Sequence, residues 1–142
     1  MAFTGNYICN SFKLGLPAGE FNFATGTPDV FKIALYTNEA TLDETTSSYF
    51  PSGEVSAAGY TAGGEVLTPN LTMVGTGTTG ISFIDFNDVS WSGAFTARGA
   101  LIYKEGGTAI CVLDFGADRT STSTFQVQFP PDTSSSALIR IS

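Results

Sequence analysis

A chain of 142 residues without a single histidine lacks the commonest general base and metal ligand that proteins use near neutral pH. This composition disfavours histidine-dependent hydrolases and most zinc sites. Six lysines and arginines against 13 acidic residues give a net charge of −7, which disfavours nucleic acid and anionic membranes as partners. The length, with 42% apolar residues, fits one domain over residues 1–142 with a core of its own.

Residues 6–16 carry the helical pattern of this chain. Ile8, Phe12 and Leu16 recur at four-residue spacing, which predicts one short amphipathic helix. A proline and a glycine at positions 17 and 19 end it. Such a helix needs a surface on which to lay its apolar face.

A period of two begins at residue 30 and continues through most of the remaining chain. Residues 30–36 are predicted to form a strand with one buried face, carrying Phe31, Ile33 and Leu35. A polar loop follows over residues 41–52, which Tyr49 and Phe50 are expected to hold against the domain. Further strands are predicted over residues 55–61, 65–73, 81–86, 89–91, 94–104, 108–115, 125–129 and 137–141, with a flexible loop at 75–80 and a hairpin turn at 105–107.

These elements predict an all-β fold. We expect an antiparallel β-sandwich or barrel of about eight strands, with its β core in residues 30–142 and one short N-terminal helix. Five aromatic side chains in the predicted strands could line a carbohydrate platform, but a core position is favoured for them: Phe83, Phe86, Trp91, Phe95 and Tyr103.

Two carboxylate pairs, Asp85 with Asp88 and Asp114 with Asp118, flank predicted turns. A glycosidase needs two carboxyls that face each other across a sugar, and sequence spacing cannot show that arrangement. Turns also recruit aspartate for local hydrogen bonds, and this role is favoured. A calcium site built from Asp85, Asp88 or Asp118 is a weaker alternative. The sequence therefore assigns no catalytic residue, no metal ligand and no cofactor.

Arg98 lies in an otherwise apolar predicted strand. An arginine that is nearly buried needs a carboxylate partner, which Asp85 or Asp114 could supply.

Cys9 and Cys111 are expected to be buried free thiols, since two distant cysteines do not make a disulfide framework. Neither a secretory signal nor a membrane-spanning apolar stretch is visible, so we expect synthesis in a cytosol.

Three stretches, in this order and spacing, resemble a widespread group of small virion structural proteins of tailed bacteriophages. They are residues 29–37 (DVFKIALYT) with 40–42 (ATL), residues 59–64 (GYTAGG) with 67–68 (LT), and residues 96–103 (TARGALIY) with 112–116 (VLDFG). The resemblance spans residues 6–142. It implies a β-rich, non-enzymatic structural protein with no catalytic residues to carry over.

Within that group, the compact acidic chain is most similar to a capsid decoration, or cement, protein. Such a protein is synthesised in the cytoplasm of the bacterial host, often forms a homotrimer on the capsid exterior, binds the major capsid protein and stabilises the shell. The alternative is a small tail, neck or fibre component that acts as an adhesin-like module. The residues that we expect to contact the shell or a sister subunit are Ile8, Phe12, Leu16, Tyr49 and Phe50. The competing interpretation is that these side chains cap their own sandwich.

Overall fold

The computed structural model describes residues 3–23, 28–70, 82–130 and 138–141. Its elements, in chain order, are β1 (Tyr7–Ile8), α1 (Asn10–Gly15), β2 (Phe31–Tyr36), β3 (Glu65–Leu67), β4 (Pro69–Asn70), β5 (Ser82–Phe86), β6 (Val89–Ser92), β7 (Thr96–Lys104), β8 (Ala109–Thr120), β9 (Thr124–Val127) and β10 (Ile139–Ile141). The prediction of an all-β protein with one short N-terminal helix is confirmed.

The strands form three antiparallel sheets. The largest has the order β1-β8-β7-β2-β3, a second has the order β10-β5-β4, and a third consists of β6 and β9. The main core cluster contains side chains from all three sheets, among them Ile33 of β2, Phe86 of β5 and Trp91 of β6. The two smaller sheets therefore cover one face of the five-stranded sheet in a sandwich-like arrangement.

The opposite face of the five-stranded sheet is buried as well. Ala34 and Tyr36 of β2, predicted to face solvent, have no exposed surface. A second cluster covers them with Phe3 and Leu42, which form an isolated bridge with each other. The prediction of one buried face was wrong because the N-terminal segment and the 41–52 loop return over this sheet, and alternation within a strand cannot reveal such a cover.

The β7–β8 hairpin forms at the predicted turn and contains a bulge. Ile102 pairs with Cys111, but the neighbouring Tyr103 pairs with Ala109, which leaves Ile110 as an extra residue on β8. Ile110 and Cys111 therefore both belong to the main core cluster although they are consecutive.

Three predicted boundaries were wrong for reasons of long-range pairing. The helix begins only at Asn10, because Tyr7 and Ile8 form a strand that pairs with β8. Residues 55–61 form turns, and the Val55 amide donates to the Leu35 carbonyl at 2.9 Å. Asp114 and Asp118 both lie within β8, where residues 115–118 form an irregularity opposite Arg98 and not a turn between strands. Residues 71–73, 75–80, 81 and 137 of the predicted elements lie outside the described residues.

Gly59 lies where the 55–61 turns meet β6. Its φ of +88° is in the left-handed region, and a Cβ at this position would come 2.1 Å from the Ser92 carbonyl oxygen. Only glycine permits this approach, which brings Tyr60 against the main core. The turn thus places Tyr60 next to the polar network described below.

Candidate functional site

The five predicted interface residues face their own domain. Phe12 is 1% exposed and belongs to the main core cluster, with Ile8 and Leu16 half-buried against it. Tyr49 and Phe50 are half-buried against the second cluster. The expectation that Phe12 contacts the shell or a sister subunit does not fit this burial. The helix caps its own sandwich, since Phe12 has almost no surface left for a partner.

Arg98 is paired with Asp114 across the β7–β8 hairpin. Both side chains are largely buried, and the guanidinium lies 5.6 Å from the centroid of the Phe3 ring. Burial alone would raise the pKa of the Asp114 carboxyl. The hydrogen bonds from the Gly116 amide and from Arg98 lower this pKa by more, so it lies below the ordinary value. Asp85, the other predicted partner, lies in β5 of a different sheet.

A polar network centred on Glu54 ties the loop preceding β3 to the five-stranded sheet. The Glu54 carboxylate accepts hydrogen bonds from the hydroxyls of Tyr49 at 2.7 Å and Tyr60 at 2.6 Å, and from the Gly63 amide at 2.8 Å. The Tyr60 oxygen accepts a bond from the Leu35 amide of β2 at 2.8 Å. We call residues 49–63 the strap, because these bonds fasten it across β2.

The tyrosines of the strap keep their protons over a wide pH range. Burial is the main cause that raises the pKa of Tyr60, and the hydrogen bond to Glu54 adds to it. The same two causes raise the pKa of Tyr49 to about 12. The Tyr49 ring stacks on Tyr103 with centroids 4.9 Å apart, and the Tyr103 hydroxyl donates to the Gly63 carbonyl at 2.6 Å. These phenols act as hydrogen-bond donors that hold the structure together.

Other aspartates accept hydrogen bonds that are local for Asp43 and long-range for Asp88 and Asp118. Asp43 accepts bonds from the hydroxyl and amide of Thr45, which lower the pKa of its carboxyl. Asp88 accepts from the Phe129 amide at 2.8 Å, and Asp118 accepts from the Asn38 side chain at 3.2 Å. Among the described residues, no three acidic or cysteine side chains are grouped so as to hold a metal ion.

Cys9 and Cys111 are free, buried thiols. Cys9 belongs to the second cluster and Cys111 to the main core, so the two side chains lie on opposite faces of the five-stranded sheet. Burial raises the pKa of both thiols, that of Cys9 to about 12. Neither cysteine is therefore a reactive thiolate near neutral pH.

An open groove that the sequence did not reveal runs between the end of β8 and β9. Its volume is about 600 Å³, and it is lined by Phe115, Arg119, Thr120, Ser121, Thr124, Phe125, Gln126, Val127 and Gln128. Each residue is ordinary in sequence. The groove forms because β8 and β9, which are consecutive in the chain, belong to different sheets. No local sequence pattern predicts that two consecutive strands diverge in this way.

No family model matches the chain, and no curated protein or solved structure matches it. In the described part of the chain, no helix has the length and apolar character needed to cross a membrane.

Proposed function

We propose that this chain is a non-enzymatic structural protein of a tailed-bacteriophage virion, and that it decorates the capsid exterior as a homotrimer bound to the major capsid protein. The observation that carries the proposal is where the phage-like stretches lie. They contain β2, most of β7 and part of β8, which are adjacent strands of the five-stranded sheet. The 59–64 stretch joins the same unit through the bond between Tyr60 and Leu35.

The way in which polar side chains are used supports a scaffold role. Glu54 holds the strap, Asp114 holds Arg98, and Asp88 holds the chain at Phe129. Each of these carboxylates is occupied by a structural hydrogen bond or ion pair. A general acid or base must instead present its carboxyl to a substrate within hydrogen-bond reach.

A physical rationale links this fold to shell stabilisation. A shell filled with DNA is under internal pressure, and a protein that bridges several capsomers raises the cost of separating them. Contact through several subunits lets weak individual interfaces add up to strong retention. A sheet buried on both faces supplies a stiff body for such a bridge.

Because Phe12 faces inward, Leu14 replaces it as the proposed shell contact on the helix. Leu14 is 73% exposed, whereas Val66 on the edge strand β3 is 57% exposed and serves as a matched control. We expect Leu14→Asp to fold normally but to bind shells at least tenfold more weakly, while Val66→Asp retains binding. Co-sedimentation with expanded shells that lack the protein measures both.

The decisive experiment places the protein on intact virions. Immunogold labelling or a density map should show it distributed over the head, and sedimentation of the purified protein should give a trimer. Heads that lack it should release DNA at a lower temperature, and added protein should restore the release temperature. Label confined to the tail tip would favour the adhesin-like alternative, and a protein absent from virions would overturn both assignments.

A further inference from the structure

The groove between β8 and β9 follows the edge of a strand. Phe125 and Val127 have side chains buried in the core, yet they line the groove together with the exposed Gln126 and Gln128. Side chains of a strand alternate between its two faces, so consecutive residues can line one groove only along the edge of the strand. The groove therefore meets the backbone of β9.

This edge of β9 is open in the described part of the protein. β9 (Thr124–Val127) pairs with β6 (Val89–Ser92) on one side only, and no other described strand lies beside it. The backbone N–H and C=O groups that point away from β6 thus form a template for one more strand. A peptide added there would extend a two-stranded sheet to three strands, which is the β-augmentation mode of recognition.

The groove also carries a positive charge without a carboxylate partner among the described residues. Arg119 is exposed, and its Nη2 donates one hydrogen bond to the Phe115 carbonyl at 3.2 Å. A guanidinium has five N–H donors in a planar fork, so most of them remain for a carboxylate.

The acidic side chains near this end of β8 line a different groove. Asp118 accepts a bond from Asn38, and together with Glu39 and Thr96 it lines a separate groove. In a protein with a net charge of −7, the Arg119 groove is therefore a local site of opposite charge. Its floor is apolar at one end, where the rings of Phe115 and Phe125 lie 6.1 Å apart.

We propose that this groove binds an extended peptide segment that adds as a strand to β9 and places an acidic side chain against Arg119. The open strand edge supplies backbone affinity, and Arg119 supplies the preference for a carboxylate. The volume of about 600 Å³ is within the usual range of ligand sites. The site does not depend on where the protein lies in a virion.

The test uses three capped pentapeptides in an amide NMR titration of the intact protein. The first has the sequence Thr-Val-Glu-Val-Thr, the second has lysine in place of glutamate, and the third has the first sequence with alternate backbone nitrogens methylated. We expect the first peptide to shift the amides of residues 124–128. The lysine peptide should bind at least tenfold more weakly, and the methylated peptide should not bind.

Charge reversal in the protein provides the matched test. Arg119→Glu should make the protein prefer the lysine peptide, and Arg119→Gln should remove the preference. Arg140→Glu, an equal charge change at an exposed position on β10, should leave binding unchanged. The proposal is overturned if millimolar peptide shifts none of these amides, if the methylated peptide binds equally well, or if oligogalacturonate shifts them while the peptides do not. The last result would assign the groove to an acidic sugar.

Discussion

Phe12 lies where three aromatic rings meet in the main core. Its ring centroid is 5.0 Å from that of Phe21 and 6.2 Å from that of Phe23. The neighbouring Leu14 points away from this cluster and is 73% exposed. Two apolar residues on the same short helix thus have opposite surroundings, and substitutions at the two positions separate core packing from surface contact.

We expect Phe12→Ala to lower the free energy of unfolding by about 3–5 kcal/mol, because it removes a buried ring and leaves a cavity. Leu14→Ala should change it by no more than about 0.5 kcal/mol, as is usual for an exposed position. Urea unfolding followed by tryptophan fluorescence measures both. Equal losses in the two variants would contradict the burial of Phe12.

The Arg98–Asp114 pair makes stability depend on pH on the acid side. The pKa of Asp114 is lowered in the folded protein, so its contribution is complete above the unfolded value, about 4, and is lost as the pH falls through the folded value. We expect the urea midpoint to fall as the pH is lowered below about 4, with a shallower fall in Asp114→Asn. An unchanged slope in that variant would assign the acid sensitivity to other carboxyls.

At the scale of elements, the strap shows how one carboxylate fixes a segment that has no regular secondary structure. Glu54 satisfies three donors within the strap, while Tyr60 also accepts from the backbone of β2. The sequence predicts a short edge strand over residues 55–61. The segment turns instead, since Gly59 allows a close backbone approach and the tyrosines reach a shared acceptor.

The strap should fail at high pH. The pKa values of Tyr49 and Tyr103 are raised to about 12, so their contribution is complete below the unfolded value of about 10 and is lost as the pH rises through 12. We expect phenolate absorbance to appear together with loss of tertiary circular dichroism between pH 10 and pH 12. Tyr49→Phe should be less stable at pH 7 but lose less stability over this interval.

Replacing the Glu54 carboxylate with an amide tests the hydrogen-bond acceptor while the tyrosine rings stay in place. Glu54→Gln retains the shape of the side chain but exchanges one acceptor oxygen for an amide donor, which faces donors already in place. We expect a loss of about 1–3 kcal/mol at pH 7, the usual range for leaving a buried polar group unsatisfied. Urea unfolding at pH 7 provides the measurement, and a neutral result would show that water satisfies these donors.

For the whole molecule, the sequence predicted those strands and turns whose residues are close together in the chain. The extents of β2 and β5 and the β7–β8 hairpin follow from alternation and from the Gly106–Gly107 turn, where both φ angles are positive. The burial of the second sheet face, strand β1 and the β9 groove depend on which distant segments meet. Of the predicted site residues, Arg98 pairs with Asp114 because the β7–β8 hairpin places the neighbouring Gly99 opposite Asp114. Phe12 faces inward because Phe21 and Phe23 pack against it.

The pairing of β1 with β8 has a kinetic consequence. Tyr7 lies beside Val112, so most of the chain separates the two strands of this ladder. Most of the backbone of β2 is likewise paired only once β7 is present. Closing such long loops costs entropy before the contacts return any energy, which places folding in the millisecond-to-second range typical of non-local β proteins. A ribosome-bound chain cannot complete the five-stranded sheet until residue 112 has emerged, so a nascent protein exposes the apolar faces of β2 and α1 throughout most of its synthesis.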